Sequence, residues 1–152
     1  MKKHKVLDSI RAARLAHVQW VDRTRVLVEG LAITEEQIPF EATCCDFGRW
    51  FYGEGQLLLA LFNRASIKKL EDKHKELHVV YIKIFKIYFD RSTQSFLEKL
   101  LQKRKKVSEK EKTIAMEALV QLEKLSTELI GYLNIFEKNL NSIEEDEFEK
   151  LY

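Results

Sequence analysis

A single proline, Pro39, stands in 152 residues, and only five glycines accompany it. A chain so poor in breakers has few places to turn, which excludes a many-turned all-β fold and favours long helices. The apolar spacing agrees. From Val6 to Leu31, Ile10, His17, Trp20, Val21, Leu27, Val28 and Leu31 recur at helical intervals, while Arg11, Arg14, Arg23 and Arg25 mostly lie off that stripe. Gly30 and a polar connection reaching Pro39 end this first helix. A broad seam then runs from Ser66 to Arg104 through Ile67, Leu70, His74, Leu77, His78, Tyr81, Ile84, Phe85, Tyr88, Phe96 and Leu100. One long helix fits it, and so does a helix that bends near Asp90–Ser92.

The cations Lys103–Lys106 close that segment and read as a solvated helix end, where the backbone dipole places negative charge. Ser108-Glu109-Lys110-Glu111 has the S-x-x-E capping pattern and opens another helix, with Ile114, Ala118, Leu122, Leu125, Leu129, Leu133, Phe136 and Leu140 on its seam. The expected architecture is all-α: an antiparallel four-helix bundle with a short aromatic and glycine-rich segment, Cys44–Gly55, after the first helix. The density of Phe47, Trp50, Phe51 and Tyr52 there predicts tight packing. One domain covers 1–152, with the motif-bearing part at about 10–140 and an acidic tail over 141–152.

A formal net charge of +2 gives the whole molecule no strong pull on nucleic acid or on anionic membranes, and neither is expected as a partner. The longest clean apolar run, Leu57–Phe62, is far short of the roughly 20 residues a membrane span needs. Met1–Lys5 is basic like the start of a signal peptide, but Asp8, Arg11 and Arg14 interrupt any apolar region after it. A soluble, cytoplasmic protein is the expectation.

Cys44 and Cys45 are adjacent, so a disulfide between them would staple no loop, and packing, reactivity or metal binding are the remaining uses. Three of the four histidines fall on apolar seams. His74 and His78, four residues apart, share a helix face. A lone seam histidine is commonly a hydrogen-bonded core residue, but two imidazoles on one buried face must both find partners, and a metal ion satisfies both. With His17 and Cys45 they make three nitrogens and one sulfur, a suitable tetrahedral set for zinc. Core histidines without metal remain the alternative at this level.

Other chemistries fit poorly. In His74-Lys75-Glu76-Leu77-His78 the glutamate lies roughly 200° round the helix from the first histidine, so this is not the H-E-x-x-H of a metalloprotease. Glu71-x-x-His74 is half of a di-iron motif that bundles use twice, and no second copy exists. No G-x-S-x-G elbow or phosphate-cradling glycine pattern occurs. An enzyme is not expected, although Cys45 with a histidine would be its nucleophile.

The residues His17-Val18-Gln19-Trp20, then Cys45-Asp46-Phe47-Gly48-Arg49-Trp50, then Leu70-x-x-x-His74-x-x-x-His78 resemble the chemoreceptor zinc-binding domain family, whose pattern is H-x-x-W, C-x-F-G-x-W and L-x-x-x-H-x-x-x-H in that order. The resemblance covers about residues 10–140 and includes Leu122–Leu133 with Ser126 as a closing helix. It implies a four-helix bundle with zinc held by His17, Cys45, His74 and His78. It also implies that Trp20, Phe47 and Trp50 pack around the site, and that Gly48 lets the backbone approach a neighbouring helix. Cys44 sits one residue before the motif cysteine, with a small buried side chain as its expected role and a redox partnership with Cys45 as the other.

Family members usually end a chemoreceptor or adjoin a diguanylate cyclase. This chain shows neither attachment, so the resemblance implies a domain that signals through a separate protein in those pathways or through a homodimer. Four protein ligands leave no open position on zinc, which makes it regulatory or structural. A zinc-bound thiolate at Cys45 is also the form that oxidants attack.

Overall fold

The computed structural model describes residues 2–56 and 60–151, and every regular element among them is helical. Helix α1 spans Lys3–Val28 and buries Val6, Ile10, Ala13, His17, Trp20 and Leu27 along one stripe. It stops where the sequence predicts. Gly30 takes φ 94°, its N–H donates to the Leu27 carbonyl, and Leu31 N–H donates to Val26, the paired bonds of a left-handed glycine cap. That turn carries Leu31 off the helix, so it is exposed and does not continue the seam.

A 3-10 turn, Glu35–Gln37, and a short helix, α2, Asp46–Tyr52, lie in the connection. Helix α3 spans Arg64–Phe89 behind Asn63, whose side chain accepts the Ala65 N–H. It ends at Asp90, whose carboxylate accepts the Ser92 N–H in a local turn. Of the two sequence readings the break is the right one, because a second capping box, Ser95 with Glu98, starts a separate helix α4, Phe96–Leu100. Phe96 and Leu100 are therefore exposed and not part of the α3 seam. Lys103–Lys106 is likewise not a helix end but irregular chain. Lys105 nonetheless reaches back to the Lys86 carbonyl in the last turn of α3, so a cation does meet that pole, through space.

Helix α5, Glu109–Ser142, opens with the predicted Ser108–Glu111 capping box. Its buried stripe takes Ala115 in place of Ile114, which is exposed, and then follows Ala118, Leu122, Leu125, Leu129, Leu133, Phe136 and Leu140. Helix α6, Glu145–Lys150, folds the acidic tail back and buries Phe148.

Cross-chain pairs fix the directions. Lys3 meets Asn141, Arg14 meets Glu137 and Arg25 meets Glu123, so α1 and α5 are antiparallel. Phe62 packs on Phe136 and Lys73 pairs with Glu128, so α3 and α5 are antiparallel too. Trp20 packs on His78 and Tyr88 bonds to the Val28 carbonyl, which makes α1 and α3 parallel. The chain must therefore return along the bundle between them, and α2 lies in that return, closing the bundle's fourth side. Among the described residues three helices are long, and α2 on the fourth side is short. The run Leu57–Phe62 falls partly outside the described residues. Among those described, no helix is long and apolar enough to cross a membrane.

Candidate metal centre

Two elements supply the group at the centre of the bundle. His74 and His78 come from one face of α3, as their spacing requires, with ring centroids 4.8 Å apart. Cys45 comes from the turn before α2. It is the residue that caps that helix: its Sγ accepts the Gly48 N–H at 3.2 Å. The Cys45 sulfur lies 3.2 Å from His74 Nε2. Ligand atoms of Cys45, His74 and His78 all fall within 4.8 Å of one another, close enough for one ion to touch all three. The three residues are 3%, 1% and 4% exposed.

The second coordination layer is already ordered. A carbonyl can only accept, so the Phe40 oxygen at 2.7 Å from His78 Nδ1 assigns the ring proton to that nitrogen. The lone pair then resides on Nε2, which is buried and has no partner; neither has His74 Nδ1. Leaving a buried polar nitrogen unmatched costs about 1–3 kcal/mol. Two such atoms beside a thiol fit a metal ion, and a borderline-soft set of imidazole and sulfur fits zinc.

Electrostatics favours neutral imidazoles there. Burial lowers His74 to about 3, helped by the neighbouring His78 and His17. Burial also lowers His17 to about 4, with His78 contributing, and pulls His78 down against its bond to Phe40. Neutral rings at neutral pH are the form that binds metal. Burial pushes the Cys45 thiol up to about 11, opposed by the Gly48 N–H. A metal is what would draw its proton off.

His17 is buried on the same side but outside the group of three. Its Nε2 pairs with Ser126 Oγ on α5 at 2.9 Å, and its ring stacks on Trp20 and meets the edge of Phe47. Phe47 lies against His74, with centroids 4.7 Å apart, and Trp20 lies against His78 at the same separation. Trp50 packs on Phe47 and donates to Ser9 on α1. Trp20 and Phe47 thus lie against the histidines, with Trp50 behind Phe47.

A strap holds the site from outside. Tyr81 donates to the Ile38 carbonyl, Trp20 to Pro39 and His78 to Phe40, three consecutive carbonyls tied to α1 and α3. Gly48 is required by the same segment: a Cβ there would stand 1.7 Å from the Ala42 carbonyl oxygen. The close approach is to this preceding turn and not to a neighbouring helix. Cys44 is exposed, contrary to the buried role expected of it, because the turn before α2 directs only one of two adjacent side chains inward. Its thiol lies 3.4 Å from Glu41, in a cavity of about 290 Å³ with Glu35, Phe40 and Phe85. Glu76 pairs with Lys73, and Glu71 with Lys75 and Tyr52, so neither carboxylate is spent on the histidines.

Sequence reasoning did not find Ser126 as a hydrogen-bond partner or the strap carbonyls. A serine on the buried stripe of α5 was the available sign of the first. Backbone acceptors leave no residue-type signal, so the second had none.

The class so defined is a helical bundle enclosing a cysteine and two histidines that could hold one metal ion. Residues 17–85 match the family model of the chemoreceptor zinc-binding domain, and over that stretch the chain is similar to this family. The match spans His17, Cys45, His74 and His78; Ser126 and the rest of α5 lie outside it. Neither a curated protein nor a solved structure matches the chain.

Proposed function

We propose that this chain is a cytoplasmic zinc-binding regulatory module whose site is Cys45, His74 and His78, completed by His17. The observation that carries the reading is the buried group of three with two unpartnered ring nitrogens. Zinc, when bound, supplies a fixed positive centre that holds Cys45 as thiolate and ties three segments of the chain together. Completion by His17 requires its ring to turn toward the three, so the Ser126 contact on α5 becomes sensitive to occupancy. A site filled by four side chains offers no place for a reacting water, and no enzymatic role is proposed.

Two stimuli act on such a site. Free zinc acts by mass action. Hypochlorous acid acts on the sulfur: the Cys45 thiolate takes the hydroxyl, two electrons pass to chlorine, and sulfenic acid and chloride result. Cys45 then ligates weakly, and the histidines lose their common partner. The change in helix packing is read by a homodimer partner or by a signalling protein in trans, as in chemoreceptor or diguanylate cyclase pathways.

A second reading, a permanent structural zinc, is favoured by the burial of Cys45, His74 and His78. Release kinetics separate the two. Zinc leaving to a chelator or after hypochlorous acid much faster than the protein unfolds supports the regulatory role; release no faster than global unfolding supports the staple. In the same assay His17→Ala weakens binding if His17 is the fourth ligand, and leaves it unchanged if it is not.

A further inference from the structure

Helix α4 is out of keeping with the rest of the molecule. Every residue from Ser95 to Leu101 is exposed, including Phe96 at 81%, Leu97 at 62%, Leu100 at 67% and Leu101 at 58%. Positions i, i+1, i+4 and i+5 fall on one helix face, so these four side chains form a single apolar ridge. The helix is specified locally: Ser95 Oγ accepts the Glu98 N–H and Glu98 accepts the Ser95 N–H. A free helix of five residues is well below the length that sustains itself in water. Its caps and its apolar ridge are consistent with a helix that forms fully against something else.

The charge around it says against what. Between Asp90 and Lys106 there are six cations and two acids, while the entire chain carries only +2, so the remainder is net negative. Arg104 and Lys105 are committed to the Leu31 and Lys86 carbonyls, which anchor the connection to the ends of α1 and α3. Lys99, Lys103 and Lys106 are exposed. The acidic tail lies at the opposite end, where Lys3 meets Asn141. The molecule therefore presents a basic, apolar tip at the α4 pole. The ridge also stands clear of the cavity at Cys44 and of a second one beside it, whose linings come from α1, the strap, α2 and Phe85.

From this juxtaposition we propose that α4 and the cations after it form a peripheral membrane contact for an anionic lipid surface. Phe96, Leu97, Leu100 and Leu101 enter the boundary between headgroups and acyl chains, and Lys99, Lys103 and Lys106 meet lipid phosphates. Apolar insertion and a basic cluster are each weak alone and hold a protein at a bilayer together.

Flotation of the full-length chain with vesicles tests this. Phosphatidylcholine vesicles containing phosphatidylglycerol should carry the protein at low salt, and pure phosphatidylcholine should not. Phe96→Ser with Leu100→Ser, and separately Lys103→Glu with Lys106→Glu, should each reduce the bound fraction by about tenfold or more. Because these side chains are exposed, helical circular dichroism and the unfolding temperature should stay at the parent values, which excludes misfolding as the cause. No flotation with anionic vesicles at low salt overturns the proposal. So does concentration-dependent self-association abolished by the same substitutions, which would put a second copy on the ridge.

Discussion

At the scale of single residues, Cys45 is caught between two demands. Its sulfur caps α2 through the Gly48 N–H, and it faces His74 across 3.2 Å. Both depend on the turn Ala42–Cys45 lying against Gly48. Adding one methyl there should break the arrangement, since the Cβ of Gly48→Ala would stand 1.7 Å from the Ala42 oxygen and 3.3 Å from the Cys45 sulfur. The expected loss is about 1–3 kcal/mol of stability, as for an overpacked core, together with weaker metal binding. Chemical denaturation and a metal titration of the same variant check the two parts. The three residues that the structure brings together, Cys45, His74 and His78, were legible in the sequence, because an i, i+4 histidine pair and a C-x-F-G-x-W element constrain both spacing and chemistry. Cys44 was not. Which of two neighbouring cysteines turns inward depends on the backbone of the turn, and residue type says nothing about that.

Whole elements were legible where a backbone requirement picks the residue. Gly30 and Ser108 mark ends because a left-handed turn and an orphaned N–H each need a particular side chain or none. The break between α3 and α4 carries the same grammar, S-x-x-E at Ser95–Glu98, but a continuing apolar seam masks it. Between α1 and α5, Glu137 accepts from Arg11 Nε and Arg14 Nη1, both at 2.6 Å. These bonds, Arg11 foremost, hold the Glu137 carboxyl below its ordinary value of 4.5. A carboxylate lowered on folding stabilises the protein above that ordinary value, and the contribution disappears as pH falls through the folded one. Arg11 is half exposed, so solvent screens the gain to a small one. Glu137→Gln should therefore be slightly less stable than the parent at neutral pH and indistinguishable from it in acid, as measured by urea unfolding at several pH values.

Across the whole molecule, the parallel pair α1 and α3 shares the antiparallel α5, and α2 closes the remaining side. The group of three comes from two of these walls, Cys45 before α2 and His74 with His78 on α3, and His17 on α1, bonded to Ser126 on α5, lies beside it. Filling the site should therefore stabilise the bundle as a unit. Removing metal from the loaded protein should lower its unfolding temperature without abolishing the fold, since the apolar seams of α1, α3 and α5 run well beyond the site. The most direct test of the central claim is elemental analysis of the full-length protein purified without chelator or affinity metal, beside Cys45→Ala and His78→Ala. The account predicts one zinc per chain in the parent and substantially less in both variants. A parent that is folded, metal-free and unable to take up added zinc would contradict it, leaving His74 and His78 as core histidines in a plain helical module.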